Sequence, residues 1–420
     1  MSSAERSGPA ARHVAAVAVG NALEFYDFLT YAFFAAQIGR AFFPSSDPTT
    51  SLLASLATFG AGFLMRPVGG IVIGRIGDRV GRRPAMVLSF TLMGLAMLVL
   101  ALTPSYAAIG VAAPVVVILA RLVQGFALGG EVGPSTAFMV EAAPPEKRGL
   151  YVSLQFVTQH AAVLASGLVG MALTAALSEG AVDAWGWRAA FLLGALIVPF
   201  GFVLRRSLPE TLHETPELAQ EPKTDARVWP IVVLGLLMLT GGTIVTYVLN
   251  YLKTYASETL HLSGMLGFGA IVATGLTGVL ISPLGGALSD KYGRKPVMVI
   301  PWSFLLIIAI PAFSLVVRER NGPALIGVAI VLQFLAALIT PPVLTAIGEG
   351  LPRRIRAGSL GLTYAVAISV FGGTTQFNVA WLTKVTGSPL SPAWYMTGGV
   401  AVGLIAMLLM PETAPARRTR

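Results

Sequence analysis

The sequence predicts an all-α membrane protein whose twelve transmembrane helices form two pseudo-symmetric six-helix bundles. Three observations lead to this fold class. The chain is 55% hydrophobic and only 12% charged, whereas an ordinary soluble domain is about 25% charged. Apolar runs long enough to cross a bilayer recur twelve times, and one short basic signature is written twice, half the chain length apart.

Each apolar run has the length that a membrane helix needs, since crossing ~30 Å of hydrocarbon takes about 20 residues. The predicted spans are 14–39, 52–76, 85–103, 112–140, 150–174, 187–206, 228–252, 264–289, 297–317, 324–348, 358–382 and 393–410. The first run is too long for a signal-peptide core, and no small-residue cleavage site follows it, so we expect it to remain as the first helix.

A single long polar stretch, Ser207–Arg227, lies between the sixth and seventh runs and is rich in Pro, Glu and Thr. This composition is typical of a linker. We therefore expect an N-terminal bundle over residues 1–206, a cytoplasmic linker over 207–227 and a C-terminal bundle over 228–420.

The repeated signature indicates a duplicated chain. Residues 74–83 read Gly-Arg-Ile-Gly-Asp-Arg-Val-Gly-Arg-Arg, and residues 286–295 read Gly-Ala-Leu-Ser-Asp-Lys-Tyr-Gly-Arg-Lys. A second repeat has almost the same spacing: Glu141, Pro144 and Arg148 correspond to Glu349, Pro352 and Arg356. Two repeats at nearly one spacing predict two related halves that face each other across a central pathway.

Basic residues set the expected orientation in the membrane. Most of the 29 Lys and Arg residues fall in the two termini and in the set of alternate loops that includes both signatures. Because such loops stay in the cytoplasm, both termini are expected there. The expected location is a bacterial-type cytoplasmic (inner) membrane.

Composition argues against several classes of function. The net charge of +9 is spread over alternate loops, which does not favour nucleic acid as a partner. The sequence has no cysteine for a thiolate metal site and no Gly-x-x-x-x-Gly-Lys-Ser/Thr phosphate loop for ATP-driven transport. We expect no metal, no cofactor and no enzymatic activity, and a chain that functions in the lipid bilayer as a monomer.

Charged residues inside the apolar runs are the candidate functional residues, because a charge in the bilayer is costly. Glu24 and Asp27 lie three residues apart on one face of helix 1. Buried carboxylates of this kind can take up and release a proton as a cavity opens to either side. The alternative is that they remain ionised and hold helices together by pairing with a buried arginine.

Helices 2 and 4 carry buried cations. Arg121, Gln124 and Glu131 share one stripe of helix 4, and Arg66 lies about midway along helix 2. A planar guanidinium binds a carboxylate through two hydrogen bonds, so Arg66 and Arg121 suit an anionic substrate, while Glu131 suits proton exchange. Structural pairing of Arg121 with Glu131 or Asp27 is the alternative.

Further polar residues are expected to orient the substrate: Gln155 and Gln159 on helix 5, and Tyr247, Asn250 and Tyr251 near the outer end of helix 7. His160 could carry a proton, but a lone helical histidine is more often a satisfied packing residue. Residues 372–376 interrupt helix 11 with Gly, Thr and Gln, which either exposes backbone to a polar ligand or permits close packing.

The duplicated loop resembles the signature of the major facilitator superfamily, Gly-x-x-x-Asp-Arg-x-Gly-Arg-Arg. Gly74, Asp78, Arg79, Gly81, Arg82 and Arg83 match it, with a weaker echo after helix 8. The resemblance implies the major facilitator fold and a gating latch on the cytoplasmic side. The latch residues would be Gly74, Asp78, Arg79, Arg82, Arg83, Asp290 and Arg294, whose charge pairs and helix-terminus contacts would exist in one conformation only. Membrane orientation alone is the alternative role.

Within the superfamily, the chain is similar to the metabolite:proton symporters. The similar segments are 20–28, 63–67 and 121–126, and segments 59–67, 185–188 and 202–208 resemble the citrate and tricarballylate members most. Two residues depart from the family pattern: Phe25 stands where many relatives carry Trp, and Lys253 stands where Pro is expected.

The resemblance implies a proton-coupled symporter that imports a small polycarboxylate, citrate or a related tricarboxylate, by alternating access. The same mechanism with another cargo, such as 2-oxoglutarate, shikimate, betaine or proline, is the nearest alternative. A membrane sensor that binds a ligand without translocating it is a further alternative, and the lack of an appended signalling domain argues against it.

Overall fold

The computed structural model describes residues 25–129, 139–140, 143–206 and 228–415, and these are almost entirely helical. We label the membrane helices α1 to α12 in chain order. Their bounds are 25–42 with a break at Phe34 (α1), Pro48–Leu64 and Arg66–Arg79 (α2), Arg82–Leu102 (α3), Ala112–Leu128 (α4), Arg148–Ala176 (α5), Trp187–Arg206 (α6), Val228–Thr254 (α7), Gly264–Tyr292 (α8), Arg294–Glu319 (α9), Gly322–Gly350 (α10), Arg353–Ala367 and Gly373–Thr386 (α11), and Ser391–Leu409 (α12).

The predicted fold class is confirmed: twelve membrane helices lie where the apolar runs predicted them and form two six-helix bundles. Seven of the described helices are long and apolar enough, by length and composition, to cross a membrane. Most helices extend a few residues beyond the predicted spans, since polar residues can continue a helix outside the hydrocarbon. The boundaries at 206 and 228 stay a prediction, because residues 207–227 lie outside the described part of the chain.

Helix α2 is interrupted at Met65, which the apolar run did not predict. Pro67 lacks the N–H that would bind the carbonyl of Phe63 four residues earlier, so the regular helical ladder cannot continue. The Phe63 carbonyl instead accepts a hydrogen bond of 3.0 Å from the Ser369 hydroxyl on α11. The break therefore places Arg66 at the start of a new helical segment and ties the two bundles together.

Two helix pairs form the main contact between the bundles, α5 with α8 and α2 with α11. Gly149 of α5 lies against Gly286 and Ser289 of α8, and a Cβ at Gly149 would come within 2.5 Å of the Ser289 hydroxyl. In the other pair, Gly60 of α2 lies against Gly373 of α11. Glycine at these positions lets the bundles approach closely.

The two ends of the helices are named here by their loops. The signature end is the one where residues 74–83 and 286–295 lie. The opposite end carries Arg40, Asp47 and Lys384. The buried charged residues Asp27, Arg66 and Arg121 lie between these two ends.

Candidate functional site

A buried polar relay joins α1 to α4. The carboxylate of Asp27 is fully buried, and its Oδ2 accepts a hydrogen bond of 2.6 Å from the Gln124 amide nitrogen. Gln124 Oε1 accepts a hydrogen bond of 2.7 Å from Arg121 Nη1. Because the Arg121 guanidinium can only donate, it must contact the amide oxygen of Gln124, and the amide nitrogen then points to Asp27. Asp27 and Arg121 are therefore connected through an amide rather than by a direct ion pair.

Two buried arginines stack on a shared group of aromatic rings. Cζ of Arg121 lies 4.5 Å from the centre of the Tyr31 ring, and Cζ of Arg66 lies 4.3 Å from the centre of the Phe63 ring. Phe28 lies near both, at 5.0 Å from Arg66 and 5.3 Å from Arg121. Aromatic faces stabilise cations by about 0.5 to 2 kcal/mol each. The rings thus stack against both guanidinium groups and hold them in place.

Tyr247 of α7 closes this group from the C-terminal bundle. Its ring centre lies 5.8 Å from that of Phe63 and 6.1 Å from that of Phe28. Arg66, Arg121 and Tyr364 are the polar neighbours of the Tyr247 hydroxyl. We call Asp27, Arg66, Arg121, Gln124, Tyr247 and their aromatic neighbours Phe28, Tyr31, Phe59 and Phe63 the central cluster.

Several buried polar atoms in and beside the central cluster have no hydrogen-bond partner within the described residues. They are Asp27 Oδ1, Arg121 Nε, Gln159 Nε2 and both amide atoms of Gln376. Each such atom costs about 1 to 3 kcal/mol in the folded protein. A group of them in one region is what a site for a polar ligand or for water requires.

Gln376 of α11 follows an interruption of that helix, which lies about one turn before the predicted position at residues 372–376. The chain forms a π-helical turn over Ile368–Gly372, a feature that is frequent at functional sites. A Cβ at Gly372 would lie 2.9 Å from the Tyr247 ring, and Gln376 follows one turn later on the same face. The hydroxyls of Thr374 and Thr375 donate to carbonyls of their own helix, whereas the Gln376 amide has no such partner.

The remaining predicted substrate residues lie at different distances from the cluster. Gln159 lies beside Tyr364, and Gln155 is buried one turn earlier on α5. Asn250 is buried one turn beyond Tyr247, whereas Tyr251 faces Tyr255 and Glu258 instead. The structure therefore brings Gln159 close to the cluster and places the Tyr251 hydroxyl near Tyr255 and Glu258.

Two predicted proton-exchange residues, Glu24 and Glu131, lie outside the described residues. Their role stays a prediction. Asp27 is the described carboxylate that belongs to the central cluster.

His160 lies on α5 between the bundles. Its Nε2 is 2.9 Å from the amide nitrogen of Gln333, and its Nδ1 is 3.3 Å from the Ser282 hydroxyl. Because the Gln333 nitrogen can only donate, Nε2 of His160 accepts, and the neutral ring carries its proton on Nδ1. Both ring nitrogens are thus satisfied, as expected for a packing histidine.

At the signature end, Asp290 of α8 binds the start of α5 in the other bundle. Its two carboxylate oxygens accept hydrogen bonds from the backbone N–H groups of Gly149 and Leu150, at 2.8 and 2.9 Å. The start of a helix carries partial positive charge, which favours a carboxylate there. Arg294 donates to the same carboxylate at 2.5 Å. Asp290 and Arg294 therefore join the two bundles at this end.

Glu349 of α10 extends this contact. Arg294 donates to its two oxygens at 3.0 and 3.2 Å, and Arg148 of the N-terminal bundle lies 3.7 Å away. Glu412 follows α12 and accepts hydrogen bonds from the backbone N–H groups of Arg294 and Lys295. Burial by itself raises the pKa of Glu412, but the backbone donors outweigh burial and hold that pKa below its ordinary value. We call Asp290, Arg294, Glu349 and Arg148 the latch.

The described residues of the first signature copy make no comparable contact. A Cβ at Gly74 would meet nothing within 4 Å. Arg79 is exposed and forms no ion pair with the described part of the chain. The side chains of Asp78, Arg82 and Arg83 lie outside the described structure. Among the side chains that the structure describes, the bridging carboxylate is that of Asp290 in the second copy.

The opposite end is also closed by ion pairs. Lys384 at the end of α11 lies 2.6 Å from Asp47, which caps the start of α2. Arg40 of α1 lies 2.7 Å from Asp183 and 4.0 Å from Glu258 of the other bundle. The Lys384 ammonium holds the pKa of Asp47 below its ordinary value, so this carboxylate stays ionised near neutral pH. The central cluster is thus enclosed by contacts between the bundles at both ends.

The latch gives a first prediction. Replacing Asp290 by Asn removes a charge that accepts two backbone hydrogen bonds and one from Arg294. Hydrogen bonds to charged groups contribute about 1.5 to 3 kcal/mol, so the signature end should open about thirtyfold more often for a loss of about 2 kcal/mol. Because the chain has no cysteine, spin labels at Tyr151→Cys and Tyr292→Cys report the distance between α5 and α8 without background.

Glu146→Gln is the matched control for this prediction, since it makes the same chemical change at an exposed position of the same end. We expect a longer distance between labels in Asp290→Asn and an unchanged one in Glu146→Gln. Equal distributions in the wild type and Asp290→Asn would show that the latch does not hold the ends closed.

The central cluster contains residues that the sequence did not identify. The hydrogen bond between Asp27 and Gln124 joins two different helices. The aromatic residues of the cluster lie within ordinary apolar runs; they are Phe28, Tyr31, Phe59 and Phe63. Aromatic residues at helical spacing are expected in any core. Phe28, Phe59 and Phe63 lie in segments that resemble the family, but only the structure shows that their rings contact the two arginines. Gln376 could be suspected from the interruption of helix 11, but its unsatisfied amide is visible only in the structure.

Known proteins are similar to this chain in sequence and in fold. The sequence profile described as the Major Facilitator Superfamily matches residues 17–375. A citrate-proton symporter of Klebsiella pneumoniae is 35% identical over 396 residues, covering 93% of this chain and 89% of that protein. An alpha-ketoglutarate permease of Escherichia coli (strain K12) is 34% identical over 405 residues, covering 95% and 93%.

More distant relatives carry other names. A proline/betaine transporter of Salmonella typhimurium is 32% identical over 425 residues, covering 97% of this chain and 84% of that protein. Among solved structures, the xylose transporter XylE from E. coli in a partially occluded inward-open conformation superposes with a TM-score of 0.78. That match covers 96% of this chain and 98% of XylE at 16% identity, and supports the fold alone.

Proposed function

Because the chain belongs to the Major Facilitator Superfamily, we propose that it is a proton-coupled symporter that imports a small polycarboxylate, citrate or a related tricarboxylate. The observation that carries this proposal is the relay from Asp27 through Gln124 to Arg121. It connects a carboxylate that can bind a proton to a cation that can bind an anion. The similarity to citrate-proton symporters supports the same substrate class.

The charges of the central cluster explain how proton and substrate would be coupled. With Asp27 ionised, the cluster holds two arginines and one carboxylate. A proton on Asp27 removes the negative charge that opposes the substrate and makes Asp27 Oδ2 a weaker acceptor for Gln124. The positive charge of Arg121, whose Nε has no hydrogen-bond partner within the described residues, is then available to a substrate carboxylate. Proton and anion therefore favour each other's binding, which is the linkage that symport needs.

The aromatic rings favour an anion over a zwitterion. A quaternary ammonium ligand would need a free aromatic face. In this structure Arg66 lies over Phe63 and Arg121 lies over Tyr31, so both faces already hold a protein cation. A zwitterion also needs less positive charge than two arginines provide.

Alternating access follows from the contacts at the two ends. Opening the signature end breaks the latch, and opening the opposite end breaks the pair of Asp47 and Lys384. Neither opening requires the bundles themselves to unfold. We propose that the signature end and both termini are cytoplasmic, in a bacterial-type inner membrane, and that one chain acts as a monomer without a cofactor.

Counterflow in proteoliposomes tests the substrate class. Vesicles loaded with unlabelled carboxylate are diluted into radiolabelled citrate, and 2-oxoglutarate, shikimate, betaine and proline compete from outside. We expect tricarboxylates to drive and to inhibit exchange more strongly than the zwitterions. Exchange of betaine or proline without exchange of any carboxylate would contradict the proposal.

A dicarboxylate such as 2-oxoglutarate is the second candidate cargo, since the alpha-ketoglutarate permease is almost as similar to the chain, at 34% identity against 35% for the citrate symporter. The central cluster has two arginines, the same number as the carboxylates of 2-oxoglutarate. The same competition series separates the two cargoes by their relative inhibition. A membrane sensor would bind citrate in this assay without exchanging it.

Gln376 gives a second prediction. Its amide is buried without a partner, so Gln376→Leu should remove a desolvation cost of about 1 to 3 kcal/mol and raise the thermal unfolding temperature without substrate. The same change should weaken citrate binding at least about tenfold, for a lost hydrogen bond to a charged group. Calorimetric titration and thermal unfolding measure both effects.

Gln333→Leu is the matched control, because its amide is bound to His160. It should lower the unfolding temperature and leave citrate affinity within about twofold, an effect under 0.5 kcal/mol. A Gln376→Leu protein that is less stable and binds citrate normally would mean that Gln376 is structural.

A further inference from the structure

Lys253 is a buried cation that the relay and the latch do not use. Only 2% of the residue is exposed. Its Nζ donates a hydrogen bond of 3.3 Å to Gln37 Oε1, and lies 5.4 Å from the Phe268 ring centre and 5.8 Å from the Phe34 ring centre. Its partners are therefore one neutral amide and two aromatic faces. No carboxylate oxygen in the described chain lies within 4 Å of this ammonium.

The charges around Lys253 are already engaged with one another. Glu258 lies 4.0 Å from Arg40 and accepts a hydrogen bond of 3.2 Å from the Ser257 hydroxyl. Asp183 lies 2.7 Å from Arg40. Both carboxylates thus contact Arg40 directly, whereas they act on Lys253 only through space, without a direct ion pair.

Lys253 lies at the interface between the two bundles, which we call the seam. It follows Tyr247 by six residues on α7, so it is about 9 Å nearer the opposite end than the central cluster. Gln37 and Phe34 belong to α1 of the N-terminal bundle, whereas Phe268 belongs to α8. Gly267 of α8 packs against the Lys253 stem, where a Cβ would lie 3.3 Å from its Cγ. Lys253 is therefore held from the side of α8, while its single hydrogen bond crosses the seam.

A separation of the bundles at the opposite end would break this hydrogen bond. The ammonium would then face the opened seam while its stem stayed packed against α8. An anion that enters from this end would meet Lys253 before it meets Arg66 and Arg121.

We propose that Lys253 is an anion-binding position at the entrance of the pathway, which captures a carboxylate of the incoming substrate and passes it to the central cluster. This inference rests on the proposed function, in that the cargo is a small carboxylate with two or more negative charges. Closure of the opposite end returns the ammonium to Gln37 and releases the carboxylate inward. In the closed conformation, the amide and the two rings thus take the place of the substrate at Lys253.

The test compares uptake kinetics of Lys253→Gln, Lys253→Arg and Gln37→Ala with the wild type, using radiolabelled citrate outside proteoliposomes. Lys253→Gln should raise the KM for citrate at least tenfold and leave kcat within threefold, because the ion is captured less often but handled normally once bound. Lys253→Arg keeps the cation and should stay within threefold in KM. Gln37→Ala removes the bond across the seam but keeps the cation, and should not raise KM.

Ionic strength gives an independent readout. Attraction between a trianion and an accessible cation weakens with added salt. Uptake at low citrate concentration should therefore fall with salt in the wild type and fall less in Lys253→Gln. If Lys253→Gln is not recovered folded, Lys253→Met, which is apolar and of similar length, carries the same comparison.

Two results would overturn the assignment. One is a KM for citrate in Lys253→Gln within twofold of the wild type. The other is the same loss of kcat in Lys253→Gln and Gln37→Ala. That result would mean that Lys253 only stabilises the contact between the two bundles. A wild-type protein that transports no carboxylate would contradict the proposed function itself, and is seen before any variant is compared.

Discussion

Asp27→Asn is expected to abolish accumulation driven by a pH gradient while exchange of substrate continues. A coupled proton contributes about tenfold accumulation for each pH unit of gradient, since one unit corresponds to 1.36 kcal/mol. The asparagine Oδ1 can still accept the hydrogen bond from the Gln124 amide, which is 2.6 Å from the carboxylate in the wild type. The variant therefore resembles the protonated protein, which binds the anion but cannot release a proton.

The measurement is uphill uptake of radiolabelled citrate into proteoliposomes with an imposed pH gradient, beside counterflow without a gradient. Glu319→Gln makes the same chemical change at an exposed carboxylate that pairs with its neighbour Arg318, and should behave as the wild type does. Undiminished uphill uptake by Asp27→Asn would remove Asp27 from the coupling mechanism and direct attention to Glu24 and Glu131.

Arg121→Gln is expected to have the second large effect, a loss of citrate affinity of about 2 to 5 kcal/mol or at least about thirtyfold. Arg121 is 1% exposed, donates to Gln124 and has a buried Nε without a partner within the described residues. Arg121→Lys should also lose affinity, because an ammonium cannot form the planar two-bond contact with a carboxylate. Calorimetric titration of the purified protein with citrate measures both.

Folding is the main concern for these variants, since Arg121→Gln leaves Asp27 without a nearby opposite charge. The double variant Arg121→Gln with Asp27→Asn removes both charges and should recover stability but not affinity. Arg318→Gln, at a side chain that is 76% exposed, is the control for loss of an arginine. Normal citrate binding by the folded double variant would show that Arg121 serves only to pair with Asp27.

The fold could be predicted almost completely because hydrophobic length and the repeated signature act at the level of whole helices. The predicted span 187–206 and the helix Trp187–Arg206 coincide. The breaks inside the helices were harder to predict from the sequence. Pro67 signals one of them, and the Gly, Thr and Gln residues at 372–376 indicate another in helix 11. The break at Phe34 and the exact place of the π-helical turn, Ile368–Gly372, have no comparable sequence signal. They depend on contacts with other helices, which a single sequence does not reveal.

The site could be predicted residue by residue but not as an arrangement. A charge within an apolar run is conspicuous, so Asp27, Arg66 and Arg121 were identified singly. That Gln124 stands between Asp27 and Arg121 depends on how α1 packs against α4, since Asp27 and Gln124 are 97 residues apart. Lys253 stood out as a departure from the family pattern. Its contact with Gln37 follows from the closeness of the bundles, which sequence spacing does not encode.

Proton-driven accumulation of citrate by the purified wild-type protein tests the central claim most directly. Proteoliposomes with an alkaline interior are placed in radiolabelled citrate, and internal citrate is followed before and after a protonophore is added. We expect internal citrate to exceed external citrate and to fall to equilibrium when the protonophore removes the gradient. Internal citrate that never exceeds the external concentration, in vesicles that exchange citrate by counterflow, would contradict proton-coupled import.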